Sequence, residues 1–427
     1  MEHIVIIGNG ISGVTAARNI RKLSTNKITI ISSETEYFFS RTALMYVYMG
    51  HLKFQHTQPY ENDFWSKNNI NLVFKEVVDV NTPQKSIHFQ DQTTITYDKL
   101  VIASGSKPNR LGWKGQDLYG VFSLYSKQDL DKLEELTIGT KKAVVVGGGL
   151  IGVELVEMLL SRNIEVTFLI REESFWNSVV PIEESQLLNQ HIKEHHVNLI
   201  LNTNLDEILS DGVGNVKSIK TDNSEIIDCD IVALTVGVSP NVDFLKRTNI
   251  DIGIGIKVNR FLETNIKDVY AIGDCAEQME PNKNRKSIEA IWYTGKMMGE
   301  TVAQTICGKP MEYNPGNWFN SSKFFDIEYQ TYGWVFAVPK EYEMQFYWQH
   351  STENKAIRIS YDKNDRTFLG ISTFGIRLKH EFFDTVLNQK RTVDYVIENL
   401  SKANFDPEFY DRHEIEIRDS FQIENNA

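Results

Sequence analysis

Two short glycine-rich segments carry most of the chemical information in this chain. Gly8-Asn9-Gly10-Ile11-Ser12-Gly13 and Gly147-Gly148-Gly149-Leu150-Ile151-Gly152 share the GxGxxG spacing. In such a segment the first glycine makes a tight turn and the second lets the backbone approach a pyrophosphate. The third lets the following helix pack closely on its strand. A helix that starts there directs its N-terminal amides and positive dipole end at phosphate. Far downstream lies an Asp-bearing segment, Tyr270-Ala271-Ile272-Gly273-Asp274-Cys275. Two cradles in one chain imply two dinucleotides held at once, the requirement for passing a hydride between a nicotinamide and a flavin.

The elements around each cradle read in order. Ile4-Val5-Ile6-Ile7 is a continuous apolar run, as in a strand buried on both faces of a parallel sheet. A helix is expected from Ile11 to about Leu23, then a second strand over Lys27-Ile28-Thr29-Ile30-Ile31. That strand ends near Glu34, about 20 residues past the last glycine, where an acid hydrogen-bonds an adenosine ribose. Around the second cradle, Ala143-Val144-Val145-Val146 reads as the strand and Leu150 to about Arg162 as the helix. Glu165 to Ile170 reads as the second strand, followed by Arg171, Glu172 and Glu173. An arginine there can take the 2′-phosphate of NADPH, whereas an acid would accept from the ribose hydroxyl of NADH. Arg171 fits the first role, Glu172 fits the second, and a surface pair between Arg171 and a neighbouring glutamate fits neither.

The 427 residues are 41% hydrophobic and 24% charged, an ordinary globular profile sized for two to three domains. The net charge of −12 disfavours nucleic acid and anionic membrane surfaces, both of which need a basic face. No apolar stretch approaches the ~20 residues that span a bilayer. His3 to Ile7 is too short for a signal-peptide core and runs straight into the glycines. A cytoplasmic protein without integral membrane association is therefore expected. The tail from Asp406 to Ala427 reads as an acidic, solvated end. Cys229, Cys275 and Cys307 lie outside CxxC or CxxxxC spacing, which excludes a dithiol centre made from neighbouring cysteines.

With these segments in hand, the chain resembles the FAD-dependent pyridine-nucleotide oxidoreductases. The hallmarks occur in order: the N-terminal cradle for FAD; Leu100-Val101-Ile102-Ala103-Ser104-Gly105, similar to the family's ATG segment; and the second cradle, extended to Glu154, for NAD(P)H. Thr235-Val236-Gly237-Val238-Ser239-Pro240-Asn241 and Ala271-Ile272-Gly273-Asp274 follow. Within the family, Ile28 to Glu34 and Phe39 to Leu44 look most like the ferredoxin, rubredoxin and putidaredoxin reductase group. Trp292-Tyr293-Thr294-Gly295 with Gly299 resembles that group's helix beside the flavin.

The resemblance implies roles residue by residue. Gly8, Gly10, Ile11, Ser12, Gly13, Ala103, Ser104 and Gly105 would surround FAD. Glu34 would hold its adenosine ribose, Arg41 would lie near its pyrophosphate, and Val77 would meet adenine through the backbone. Asp274 would accept from the ribityl chain, and the start of the Trp292 helix would face the flavin pyrimidine. Gly147, Gly149, Leu150, Ile151, Gly152, Glu154, Arg171 and Gly237 would serve NAD(P)H. The group's flavin-side lysine is Tyr46 here, its C-terminal aromatic is Ser321, and no cysteine lies between Tyr37 and Gly50. Persulfide, NADH-peroxidase and coenzyme-A-disulfide chemistry is thereby disfavoured. Catalytic side chains in the usual sense are not required; Tyr46 and Glu154 are the flavin-side candidates.

The expected fold is α/β. Two Rossmann-like three-layer domains are joined by a small C-terminal α+β domain over 311–427. The FAD domain is discontinuous, 1–108 and 237–310, with the NAD(P)H domain inserted at 109–236. His191 and His195 stand four apart on an expected helix with His196 adjacent. With no third ligand nearby in sequence they read as a solvated face, and no metal site is assigned. His51 and His56 read as a surface loop, while Tyr46 either lines the flavin or packs in the core.

The leading function is hydride transfer from NAD(P)H to FAD, then electron delivery to a small iron–sulfur or rubredoxin-like protein. Reduction of a diffusible acceptor such as a quinone or dioxygen is the second reading. A flavoprotein that binds NAD(P)H and changes its assembly state is the third.

Overall fold

The computed structural model describes residues 1–406 and 408–426. By contact it divides into two compact units. The first comprises Met1–Leu111, Phe122–Ile138 and Val236–Pro315; the second comprises Gly112–Val121, Gly139–Thr235 and the chain from Gly316 onward.

The first unit is built on a parallel five-stranded sheet. Its strands run in the order Val269–Ala271, Lys99–Ile102, His3–Ile7, Lys27–Ser32, Ile70–Phe74. The continuous apolar runs do what burial on both faces demands: Ile4, Val5, Ile6, Leu100, Val101 and Ile102 are fully buried. The helix Ile11–Leu23 packs against the helix Trp292–Ile306. Small residues set that approach. A Cβ on Gly299 would stand 2.6 Å from the Ser12 carbonyl oxygen, and one on Gly295 would stand 2.6 Å from Ser12 Oγ. An antiparallel trio, Val77–Asn81, Ser86–Phe89 and Thr94–Thr96, completes the region between the third and fourth parallel strands in sequence.

The second unit repeats the motif. Asn198–Ile200, Glu165–Leu169, Lys142–Val146 and Ile231–Leu234 lie side by side in parallel. The helix Leu150–Leu160 follows the glycines. The same unit contains a five-stranded antiparallel sheet. Its strands are ordered Phe319–Phe324, Ile327–Gly333, Phe368–Phe374, Ala356–Asp362, Glu343–Gln349. Helices His380–Asn388 and Val393–Glu398 join its hydrophobic core through Phe383, Val386, Val393 and Val396. The fold is thus α/β with two Rossmann-like sheets.

The acidic tail differs from its expected solvated state. Glu414–Asn426 is a helix whose Ile417 and Phe421, four apart, are buried in the same core. Phe421 meets Phe346 edge-on at 5.1 Å between ring centres. One apolar stripe suffices to dock a helix whose other faces are charged. Among the described residues no helix is long and apolar enough to cross a membrane.

Candidate functional site

The first cradle shows why each glycine is needed. Gly8 has φ +111°, and a Cβ on it would lie 2.0 Å from the Ala103 carbonyl oxygen. A Cβ on Gly13 would lie 2.1 Å from the Gly8 carbonyl oxygen. Gly10 differs: nothing stands within 4 Å of a Cβ placed there. The first and third glycines therefore serve the protein's own packing, and the second faces open space. Gly10 caps the helix Ile11–Leu23 with no side-chain hydrogen bond, and no acid lies in the first turn. The amides of Ile11, Ser12 and Gly13 thus have no side-chain cap, as an anion site requires.

The second cradle repeats this geometry. Gly147 has φ +114°, and its Cβ would stand 2.6 Å from the Thr235 carbonyl oxygen. A Cβ on Gly152 would stand 2.3 Å from the Gly147 carbonyl oxygen, while one on Gly149 would meet nothing within 4 Å. The helix Leu150–Leu160, beginning with Leu150 and Ile151, also lacks a side-chain cap and a first-turn acid.

Around the first cradle a polar cluster is already assembled. Glu34 accepts from both Arg41 nitrogens, Nη1 at 2.9 Å and Nη2 at 2.6 Å, and from the Lys127 amide at 2.9 Å. Arg41 also stands over the Tyr125 ring, 4.4 Å from its centre. The Tyr125 hydroxyl accepts from the Ser106 amide at 3.0 Å. Ser106 Oγ donates to Asp274 Oδ2 at 3.1 Å. Burial pushes the Asp274 carboxyl above its usual range, with Ser106 and the Arg41 charge offsetting part of this. A half-buried carboxylate of this kind gains from further hydroxyl donors. Ser104 Oγ donates to the Asn241 carbonyl at 2.7 Å, and the Asn241 amide donates to the Gly105 carbonyl at 2.9 Å. Gly237, with φ +87°, accepts from the Asn109 amide at 3.0 Å. Trp292 opens its helix half-exposed and without a side-chain cap. Val77 is half-buried at an irregularity of its strand. Tyr46 is half-buried with its ring 6.1 Å from that of His51, and His51 and His56 are exposed.

The cradle opening at Gly10, the uncapped amides and the raised Asp274 carboxyl form a donor and acceptor set that fits a dinucleotide bearing a polyol. Tyr125, Ser106 and the Lys127 amide were not legible as site residues. They sit in no motif, and they reach Glu34 and Asp274 only through the fold.

In the second unit, Arg171 Nε donates to Glu172 Oε1 at 2.7 Å, and the Arg171 side chain is 74% exposed. Glu154 is half-buried in the cradle helix. Burial, then the Glu157 charge, pushes its carboxyl up to about 7 against the pull of Lys323. Lys323 Nζ lies 2.9 Å from Glu157 Oε1. That lysine, from the strand Phe319–Phe324, is a further residue that sequence spacing did not reveal. Cys229 and Cys275 are buried and Cys307 is half-buried, all three as free thiols. Burial raises each thiol, Cys229 to about 12, so none carries thiolate character. His191 is buried rather than solvated, because Asp326 and Asn354 cover its ring.

Two open, uncapped glycine turns, each between a parallel strand and a helix, are the geometry of a fold with two dinucleotide-type cradles. The model of the family described as "Pyridine nucleotide-disulphide oxidoreductase" matches residues 2–299, and the chain belongs to that family. Its cofactor is FAD.

The assimilatory nitrate reductase electron transfer subunit of Bacillus subtilis is 25% identical over 394 residues, 91% of this chain and 50% of that protein. The chain thus spans about half the length of that relative. The NADH oxidase of Methanocaldococcus jannaschii is 28% identical over 340 residues, 76% of this chain and 74% of the oxidase. The NADH-rubredoxin oxidoreductase of Clostridium acetobutylicum is 28% identical over 312 residues, 73% of this chain and 76% of that enzyme. Among solved structures, a ferredoxin reductase from Rhodopseudomonas palustris superposes with TM-score 0.80 at 20% identity. The match covers 96% of this chain and 98% of that one, and it shows the shared fold.

Proposed function

We propose that this chain accepts a hydride from NAD(P)H and delivers electrons to a small iron–sulfur or rubredoxin-like protein. The observation that carries the reading is the pair of open, uncapped cradles in a chain whose three cysteines are free and form no CxxC or CxxxxC pair. Bound FAD supplies the chemistry that links a two-electron donor to a one-electron acceptor. The side chains bind and orient.

Gly8, Gly10, Ile11, Ser12 and Gly13 would take the FAD pyrophosphate, with Ala103, Ser104 and Gly105 beside it. Glu34 would accept from the adenosine ribose, and Arg41 would turn part of its fork from Glu34 towards phosphate. Val77 would meet adenine, Asp274 would accept from the ribityl hydroxyls, and the Trp292 helix would direct its uncapped amides at the pyrimidine. Gly147, Gly149, Leu150, Ile151, Gly152, Arg171 and Gly237 would hold NAD(P)H, with Glu154 and Tyr46 tuning the contact region. In this reading 1–108 with 237–310 is the FAD domain, 109–236 the NAD(P)H domain and 311–427 the C-terminal domain. Three unpaired thiols suit a reducing compartment, and we assign the protein to the cytoplasm.

Anaerobic stopped-flow reduction with NADH and with NADPH, followed by reoxidation with a panel of acceptors, tests the proposal. Fast reoxidation by ferredoxin or rubredoxin and slow reoxidation by dioxygen and quinones is the expected result. Fast reoxidation by dioxygen alone would instead favour an oxidase, in line with the M. jannaschii relative's name. Slow reoxidation by every acceptor, with an NAD(P)H-dependent change of mass, would favour a nucleotide-responsive flavoprotein.

A further inference from the structure

Outside the cradles, three metal-ligating side chains converge within the second unit. His191 lies near the end of the helix Ile182–Glu194, and His195 is the residue that closes that helix. Asp326 sits at the tip of the hairpin joining Phe319–Phe324 to Ile327–Gly333. One ligand atom from each lies within 4.8 Å of the others. Asp326 Oδ1 is 2.7 Å from His191 Nε2 and 3.8 Å from His195 Nε2.

The contact with Asp326 does not satisfy the buried histidine. The His191 side chain is 5% exposed, and its Nε2 has no hydrogen-bond partner despite the nearby carboxylate. A buried ring nitrogen left in this state is costly unless something else engages it. A tetrahedral ion with bonds of about 2.0–2.1 Å to nitrogen and oxygen holds its ligand atoms about 3.3 Å apart. The two separations from Asp326 Oδ1, 2.7 and 3.8 Å, bracket that value.

The surroundings prepare the ring nitrogens for ligation. His195 Nδ1 stands 3.0 Å from the His191 carbonyl oxygen. With the proton on Nδ1 donated there, the Nε2 lone pair is free for an ion, the usual outer support of a ligating histidine. Phe325 stacks on the His195 ring at 4.2 Å and 18°, which fixes its plane. The Asn354 side-chain amide lies 3.1 Å from His191 Nδ1. The same amide donates to Glu194 Oε2 at 3.3 Å, and that carboxylate, 3.7 Å from His191 Nδ1, would accept from the proton moved to Nδ1 when an ion engages the Nε2 lone pair.

The cluster around His413 makes an instructive contrast. There Lys355 Nζ stands 3.3 Å from His413 Nε2 and 3.2 Å from Asp411, so a cation is already supplied by the chain.

We propose that His191, His195 and Asp326 bind a divalent transition-metal cation, by ligand type Zn²⁺. Water would fill the fourth position, and the ion would pin the helix end to the hairpin tip. Two imidazoles and one carboxylate suit zinc and its neighbours rather than calcium or magnesium, which take oxygen.

The test uses the full-length, FAD-loaded chain, free of any affinity tag and stripped with chelator, titrated calorimetrically with ZnCl₂. One site per chain is expected. His195→Gln and Asp326→Asn should each weaken it by more than the roughly 10–100-fold typical of losing an outer-shell partner. His413→Gln should leave it unchanged. CoCl₂ added to the unaltered chain should give tetrahedral visible bands to the red of the flavin, displaced by zinc; this arm depends on no variant folding. Absence of saturable zinc binding, absence of those cobalt bands, or binding that survives both His195→Gln and Asp326→Asn in FAD-retaining protein would overturn the proposal.

Discussion

At the first cradle the second strand hands the chain to Glu34, which Arg41 grips through two nitrogens while the Lys127 amide binds the same carboxylate. At the second cradle the corresponding strand hands the chain to Arg171, mostly exposed and paired with Glu172, its neighbour. The glycines are nearly superimposable in their duties, yet the strand ends are opposites. One presents a braced, half-buried charge cluster and the other an exposed pair. Exposed pairs are typically worth ~1 kcal/mol or less, so the second rearranges at little cost, whereas charge-assisted bonds sheltered from water are stronger. The difference suits a cofactor that stays at the first cradle and a nucleotide that comes and goes at the second.

The largest effects should come from the outward-facing glycines. Gly10 and Gly149 have ordinary negative φ, −71° and −95°, and their Cβ positions are open. Valine there should fold and exclude ligand only. Gly10→Val should abolish FAD retention, and Gly149→Val should keep FAD and lose nicotinamide binding. Flavin absorbance after gel filtration, with NAD(P)H titration, reads both. A Gly149→Val protein that loses FAD would break the division of labour.

Next come the two arginines. Arg41→Ala strips the Glu34 carboxylate of its fork and should weaken FAD binding by about 1.5–3 kcal/mol, the scale of hydrogen bonds to charged groups. Arg171→Ala should weaken NADPH by a similar amount if Arg171 leaves Glu172 for a 2′-phosphate, with NADH barely changed. If it stays with Glu172, both nucleotides should change by ~1 kcal/mol or less. Titrating both nucleotides at fixed salt separates these cases. Equal losses for NADH and NADPH would point to a disturbed loop instead.

Glu154 sharpens the comparison in a third way, because it titrates in the folded unit near 7. Its folded pKa is raised, so between the ordinary carboxylate value and about 7 the folded state holds a proton that the unfolded state lacks. That group's contribution to stability therefore falls as pH rises through this window. Glu154→Gln should remove this slope, gaining Tm relative to the parent between about pH 5 and about pH 8. An unchanged difference across that range would contradict the raised value.

The smallest effect should come from the thiols. Replacing Cys229, Cys275 and Cys307 together by Ala or Ser should leave dye reduction by NAD(P)H within a few-fold in folded, FAD-loaded protein. Loss of flavin reduction would reveal a thiol centre.

The legible part of this molecule is the local part. Both cradles, their strands and their helices follow from residues within one stretch, because burial on two faces and close backbone approach each leave a short-range pattern. The helix expected from Ile11 to about Leu23 spans Ile11–Leu23, and that expected from Leu150 ends at Leu160. The tail reads as solvated because its charge outweighs one apolar pair at helical spacing, Ile417 and Phe421, which docks it. His191 reads as solvated because the groups against its ring, Asp326 and Asn354, lie far along the chain.

The sequence by itself determined where two phosphates can be cradled, since turn, approach and packing are decided within six residues. Only the tertiary structure decided the electrostatics around them. The amide that binds Glu34 lies 93 residues away, and the lysine beside Glu157 lies 166 away. Charge interactions depend on distance in space and on burial, and neither is a property of spacing along the chain.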